Sequence, residues 1–446
     1  MSMLVTILVS VFNRVMCSFT GKCLFCVLVL TLILQIFFYN LITFRQIEDK
    51  WSVENTNIVL WWTPFLDEPG RIIRCGNYSR CFLTSNRKYK DDPRLKALLF
   101  YGSLFNQSDL PLERNSKLWG LLHEESPRNT PLLSHEVILS LFNYSSTFSR
   151  FSDLPLTLQY LPSLDDLTDQ KYLVSFEAKS NLEDKLAPVV YIQSDCVTPN
   201  NRDSYVYELM NHINVDSYGE CLNNKKLPVS LSNPLETMMS DELLHFVSKY
   251  KFAIAFENSV CDDYITEKLW RPLIAGTVPI YYGSPSAKDW LPDNDSAIFV
   301  TEFNSPKDLA EYLIFLANNS TAYNKHRKHK IDQKIANNYL IKKFRPYEWT
   351  TENDSGTIVE EFECLLCMNS FNTNISIVNK KHYDCPIPVS MVDRKYNISN
   401  WWHRDYHVTK CEALALRKFM YNIDKNYEKS ETFTFNYIYN NDEICV

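Results

Sequence analysis

Residues 251–303 read KFAIAFENSVCDDYITEKLWRPLIAGTVPIYYGSPSAKDWLPDNDSAIFVTEF and hold the densest pattern in the chain. The apolar run 252–256 is short and ends in Glu257, Asn258 and Ser259. A run of that length bounded by polar residues predicts a buried strand. Residues 264–275 have helical spacing and stop at Gly276, a common helix C-cap. Two more strands follow, at 278–282 and 297–300. This order predicts βαβ units and a parallel sheet. Ligands of such sheets bind beyond the carboxyl ends of the strands, where Glu257 and Asn258 stand. Asp262 and Asp263 are placed to cap the helix. Glu267 and Lys268 fall in its first turns, where a lysine suits a phosphate and a carboxylate suits ribose hydroxyls. Glu267 and Arg271 are also spaced to pair on a solvated face.

Outward from this stretch the alternation continues. Strands are expected at 57–62, 95–100, 117–123 and 188–193, and helices at 134–142, 205–213 and 241–250. Residues 67–80 read as a cysteine-containing loop, and 164–180 as a polar, acidic crossing. Two α/β sets joined by a crossing predict two facing domains with a cleft, at 57–180 and 181–345. From 346 to 446 the pattern breaks down into a polar, aromatic, cysteine-bearing extension that includes Trp401, Trp402 and His403.

Composition narrows the chemistry. Only 9 of 446 residues are glycine, against about 7% in average usage. No G-x-G-x-x-G or G-x-x-x-x-G-K-[ST] can be assembled, so a P-loop or a standard dinucleotide fingerprint is excluded. A net charge of −7 argues against a nucleic-acid partner.

Residues 23–44 carry no charge over 22 positions, enough for a membrane-spanning helix. Arg14 and Lys22 precede it, which favours a cytoplasmic N-terminal tail (1–22), an uncleaved signal-anchor (23–44) and a stem (45–56). A cleaved signal peptide would be shorter and end in small residues. Beyond the anchor region remain ten cysteines, and nine N-x-[ST] sequons begin at Asn77, Asn106, Asn143, Asn294, Asn318, Asn319, Asn353, Asn374 and Asn397. Both features suit a disulfide-bearing, glycosylated body in the lumen of the endoplasmic reticulum or Golgi.

Residues 256–285, FENSVCDDYITEKLWRPLIAGTVPIYYGSP, resemble the donor signature of the α1,3-fucosyltransferase family (glycosyltransferase family 10). That signature runs F-E-N-S, then D-Y-[IV]-T-E-K, then V-P-[IV] before G-[SP]. Further similar pieces are 117–127 (KLWGLLHEESP), 189–196, 202–209 (RDSYVYEL) and 215–221 (VDSYGEC), so the resemblance spans about residues 57–345. HEESP and RDSYVYELMNHINVDSYGEC look most like the divergent branch of fucosyltransferases 10 and 11, regarded as protein O-fucosyltransferases. The resemblance implies an α/β GT-B fold of two Rossmann-like domains, with GDP-fucose in the C-terminal one. It implies inverting transfer from GDP-β-L-fucose without a metal. It maps the family's donor arginine to Arg202, and its Tyr-x-x-Glu-Lys onto Tyr264, Glu267 and Lys268. Lys268 would then meet phosphate and Glu267 the ribose, with Glu257 and Asn258 lining the same pocket.

An inverting transfer needs a carboxylate to take the acceptor proton and positive charge against the leaving group. Glu125, just past strand 117–123, is the expected base, with Glu124 the less favoured neighbour. Either could instead cap the segment before Pro127. His123 is a second acid–base candidate or a buried structural histidine. Asp293-Asn294-Asp295 is formally a metal motif of another glycosyltransferase fold, but it stands apart from the Glu-Lys pair. Cys364 and Cys367, with Cys385 and Cys411, read as disulfide partners rather than zinc ligands. The basic run 325–330 (KHRKHK) reads as a solvated helix face. The expected activity is fucosylation of a Ser or Thr hydroxyl on a secretory-pathway protein. The alternatives are α1,3-fucosylation of GlcNAc in N-glycans or lactosamine, and an inactive lumenal binding module.

Overall fold

The computed structural model describes residues 33–36, 56–76, 79–111, 117–347, 357–370, 376–395 and 400–426. The first sheet holds β1 (Asn57–Thr63), β2 (Arg71–Cys75), β3 (Ser79–Thr84), β4 (Leu95–Tyr101), β5 (Leu118–His123) and β6 (Tyr144–Thr147), in the order β2-β3-β1-β4-β5-β6. All are parallel except β2, which pairs antiparallel with β3. The second sheet holds β7 (Val189–Gln193), β8 (Val215–Gly219), β9 (Phe252–Phe256), β10 (Val278–Tyr282) and β11 (Ile298–Phe299), all parallel, in the order β11-β10-β9-β7-β8. Apart from the β2 hairpin arm, both sheets have the same order. The second parallel strand lies beside the first, and the third flanks the first on its other side. Each sheet therefore has a switch point, between β1 and β4 in one and between β7 and β9 in the other, where ligand crevices form. Strands β1, β4, β5, β9 and β10 read as near-continuous apolar runs, as strands buried on both faces do.

Several elements differ from the expectation. Residues 67–80 are not only loop: Gly76, at φ +64°, turns the chain between β2 and β3. The helix at 134–142 shrinks to a 3-10 turn at Pro131–Ser134 and one α-turn at Glu136–Leu139. β6, with the sequence YSST, is fully buried yet has no apolar run to announce it. The helix Glu267–Ala275 is capped by Thr266, whose hydroxyl accepts from Lys268 N, rather than by Asp262 or Asp263. The basic run 325–330 is not a solvated face. Arg327 and Lys330 are buried, donating to backbone oxygens of Val174 and Gly276 and of Asp166 and Asp169, and so anchor the crossing segment.

The C-terminal part returns to the first domain. Helix Ile358–Asn369 lies on the first sheet, with Phe362 and Leu366 against Gly120, where a Cβ would come within 2.9–3.0 Å of them. Disulfides Cys75–Cys364 and Cys81–Cys367 staple it to β2 and β3. Glu363 accepts from Trp61 Nε1 at 2.8 Å and pairs with Arg71 at 2.7 Å. The long helix Trp401–Asn426 adds Ala413, Leu416 and Phe419 to the first domain's core. Cys196–Cys221 and Cys261–Cys385 are also bonded. Cys364 and Cys367 are thus consumed in disulfides, which removes the zinc alternative.

Only residues 33–36 of the expected anchor are described, as exposed helix. Among the described residues no helix is long and apolar enough to cross a membrane. Among the sequons, Asn77, Asn353, Asn374 and Asn397 lie outside the described residues. Asn106, Asn294 and Asn318 are exposed, and Asn319 caps a helix while half-buried. Asn143 contradicts the expectation. It is buried, its Oδ1 accepts from Trp119 N at 2.8 Å, and its Nδ2 donates to Ser376 O at 3.1 Å. A folded chain has no room for a glycan there.

The two domains meet through Arg150, which follows β6, and Asp263, which lies beyond β9. The guanidinium reaches the carboxylate at 2.6–3.0 Å, and Arg150 N adds a bond at 2.9 Å. Asp263 is 1% exposed. Arg150→Ala leaves the buried Asp263 carboxylate without its cation, so unfolding should become easier by about 3 kcal/mol; thermal or urea denaturation reads this directly. Mass-spectrometric peptide mapping of the protein expressed in a glycosylating host should find Asn143 unmodified.

Candidate functional site

At their carboxyl ends β7 and β9 separate. Their pairing is confined to Val189–Phe252 and Val190–Ala253. Arg202, fully buried at the first position of helix Arg202–Leu209, spans the gap. It donates to Phe256 O at 2.8 Å and to Asp195 O at 2.9 Å. Both terminal nitrogens are therefore engaged on the strand ends, and Arg202 shapes the switch point from behind rather than opening on it.

In front lies a cavity of about 420 Å³, whose walls include Asp195, Lys225, Lys226, Glu267, Lys268 and Arg271. Lys268 and Glu267 are thus brought to one cavity at the N-terminal end of helix Glu267–Ala275, where unpaired N–H groups favour anions. Lys268 Nζ is 3.1 Å from Glu267 and 3.8 Å from Glu257, and Arg271 is 3.7 Å from Glu267. The Glu267–Arg271 pair is therefore largely buried in the cavity wall rather than on a solvated face. Sequence reasoning missed Lys225 and Lys226, which stand four and five residues beyond the VDSYGEC stretch; a basic pair beyond a strand was the available signal.

Glu257 does not open on this cavity. It is fully buried, accepting from Thr266 N at 2.8 Å and Thr266 Oγ1 at 2.7 Å. It fixes the residue that caps the helix. Gly283 makes room for it, since a Cβ there would lie 2.5 Å from Glu257 Cγ. Burial pushes the Glu257 carboxyl up to about 7, against the pull of Lys268. Burial also opposes ionisation of Glu267, but Lys268 and Arg271 outweigh it and hold Glu267 down to about 2. Neighbouring carboxyls driven apart in this way take different roles.

The first domain closes over the site from β5. Ser126 Oγ donates to Asn258 Oδ1 at 2.9 Å, and Arg128 pairs with Asp195 at 2.9 Å. Asn258 is thus part of the domain contact. Glu125, partly exposed, accepts from Tyr264 Oη at 3.4 Å. Burial raises its pKa and Lys268 pulls it back. Glu124 is buried and accepts from Tyr101 Oη at 2.7 Å. Tyr264 is 2% exposed and belongs to the first domain's core, so it faces Glu125 rather than the cavity at Lys268. His123 is fully buried against Gly102 and its pKa is pushed down by burial to about 3, the behaviour of a structural histidine.

Asp293 and Asn294 line a separate hollow of about 550 Å³ with Arg150, Asp289 and Tyr339, away from the Glu-Lys pair. Asp293 Oδ1 accepts from Asp295 N, closing a turn. Among the described residues Cys196, Asp203 and Cys221 form a group of metal-ligand type, but the two sulfurs are joined to each other.

Glu257 carries a test. Between about pH 4.5 and 7 the folded chain holds a proton that the unfolded chain has lost, so stability falls as pH rises through this window. The buried Glu363 carboxyl, also pushed up to about 7, acts in the same direction. Glu257→Gln should flatten the pH dependence of the unfolding midpoint between pH 5 and 8.

Residues 182–368 match the family model "Glycosyltransferase family 10 (fucosyltransferase) C-term". The chain is 44% identical over 402 residues to GDP-fucose protein O-fucosyltransferase 3 of Canis lupus familiaris, covering 86% of this chain and 83% of that protein. The Homo sapiens protein of the same name is 43% identical over 404 residues, with the same coverage. The Danio rerio protein is 41% identical over 380 residues, covering 82% of each. A solved α1,3-fucosyltransferase structure aligns with 76% of this chain and 95% of its own, at 17% identity and a TM-score of 0.40. With identities above 40% sustained over more than four-fifths of both lengths, the chain belongs to the glycosyltransferase family 10 fucosyltransferases.

Proposed function

We propose that this chain transfers L-fucose from GDP-β-L-fucose, with inversion, to a Ser or Thr hydroxyl of a protein in the secretory pathway. The observation that carries the reading is the 44% identity, along 86% of the chain, to proteins named GDP-fucose protein O-fucosyltransferase 3. The site chemistry supports it. Glu125 takes the acceptor proton as the hydroxyl oxygen bonds to the anomeric carbon. The bond from that carbon to the phosphate oxygen breaks, and its electron pair leaves with GDP. Lys268, Arg271 and the helix N-terminus meet the charge that develops there. Glu267 takes the ribose hydroxyls. Arg202 and Glu257 act from behind, holding the strand ends and the helix cap. Asn258 and Ser126 keep the two halves of the site opposed. The charge of the leaving group is met by side chains, so the reaction needs no metal.

The uncharged stretch 23–44 and the disulfides support a type II membrane protein whose catalytic body is lumenal, in the endoplasmic reticulum or Golgi.

Incubating the protein with labelled GDP-fucose and either disulfide-bearing protein modules or a lactosamine glycan, with and without chelator, tests the reading. Label on protein at an unchanged rate in chelator is expected. Label on glycan alone overturns the protein acceptor, and no transfer to any acceptor points to an inactive binder. Glu125→Gln should lower turnover by about 10²–10⁴-fold while GDP binding is retained.

A further inference from the structure

Glu125 is gripped from two directions that the transfer scheme leaves unused. Tyr383 Oη donates to the backbone oxygen of Glu125 at 2.8 Å. Tyr264 Oη donates to its Oε2 at 3.4 Å. The tyrosines come from distant parts of the chain. Tyr264 precedes helix Glu267–Ala275 in the second domain, and Tyr383 ends the 3-10 turn Lys380–Tyr383 of the C-terminal part. Both rings pack against Phe148, with centroids at 5.1 and 4.9 Å. The segments that carry them are cross-linked by Cys261–Cys385, and Asp262 N donates to Asp384 O at 2.9 Å. Both tyrosines are buried, and burial raises their pKa well above the usual value, so both remain protonated donors.

We propose that Tyr383 and Tyr264, yoked by the Cys261–Cys385 disulfide, are positioning residues that aim Glu125 at the acceptor hydroxyl. The proposal rests on the assignment of Glu125 as the base. The Tyr383 bond holds the main chain beyond β5, and the Tyr264 bond holds one carboxylate oxygen and leaves the other for the incoming proton. Misplacement of a catalytic group by about 1 Å can cost roughly 10²-fold in rate, so two such bonds act on turnover rather than on donor affinity. Tyr264 lies three residues before Glu267 and four before Lys268. The segment that meets the nucleotide therefore also orients the base.

The charged and titratable groups around Glu125 are Lys268, Glu267, Glu124, Tyr264, Tyr160, Tyr101 and Tyr383. Among them the Tyr264 hydroxyl favours the ionised carboxylate by its hydrogen bond. Its loss raises the pKa of Glu125, and a base is active only above its pKa.

Steady-state kinetics of the full chain test this with Tyr264→Phe, Tyr383→Phe and the double variant Cys261→Ser, Cys385→Ser. All three should lower kcat by roughly 10-fold or more and leave KM for GDP-fucose unchanged. Tyr264→Phe should also move the acid limb of the kcat profile to higher pH. Wild-type kcat in Tyr264→Phe overturns the proposal, as does a raised KM for GDP-fucose at unchanged kcat. Tyr264→Phe removes only a side-chain contact, so it carries the test if the other variants fold poorly. Glu125→Gln separates the two levels: retained turnover there refutes the base itself, whatever the tyrosine variants show.

Discussion

The site depends on one ion pair. Asp263 sits at φ +64°, a left-handed conformation that aspartate tolerates better than most residues. Its carboxylate takes the Arg150 guanidinium, and also the indole of Trp290 at 2.9 Å and Ser286 Oγ at 2.8 Å. Arg150 in turn lies 4.6 Å over the Trp290 ring. A buried pair satisfied this fully is costly to break from one side, because the remaining charge has lost its counter-ion. Residues 258–264 thus run between the domains, with Asp263 held by Ser286 and Trp290 on one side and by Arg150 on the other. Cys261 and Tyr264 thereby become part of the first domain's core. Glu125 meets a tyrosine of the donor signature only because this loop crosses over.

Electrostatics then divide the labour among carboxyls. Glu257 and Glu267 both lie within 4 Å of Lys268, and Glu125, beside Glu124, feels the same lysine across the domain contact. Four anions in a desolvated space would repel strongly. Burial raises Glu124, Glu125 and Glu257, while Lys268 and Arg271 keep Glu267 ionised. Around the cavity itself four cations, Lys225, Lys226, Lys268 and Arg271, face three acids, Asp195, Glu220 and Glu267.

Much of this was legible. β9, the helix after it and β10 announce themselves through short apolar runs, polar strand ends and Gly276, which caps the helix at φ +67°. Glu267 and Lys268 fall together for the same reason, being adjacent on a helix start. Illegible features share a cause: their stabilisation comes from partners far away in sequence. β6 is a strand because it is hydrogen-bonded beside β5, not because YSST favours one. Asn143 is buried because Trp119 N needs an acceptor. Arg327 and Lys330 are buried because the crossing segment offers carbonyl oxygens. Asp262 and Asp263 were equal to Thr266 as caps by residue type, and Asp263 was claimed instead by Arg150.

The sequence by itself determined two α/β halves, a charged helix start at Glu267 and Lys268, and a carboxylate beyond β5, because strand burial, helix periodicity and capping are local. Only the tertiary structure decided that Arg202 faces the strand ends, that Glu257 serves the helix cap, and that Tyr264 and Tyr383 converge on Glu125. Those roles come from burial and hydrogen bonds between segments up to 258 residues apart, and no local pattern encodes which distant carbonyl or carboxylate a side chain will meet.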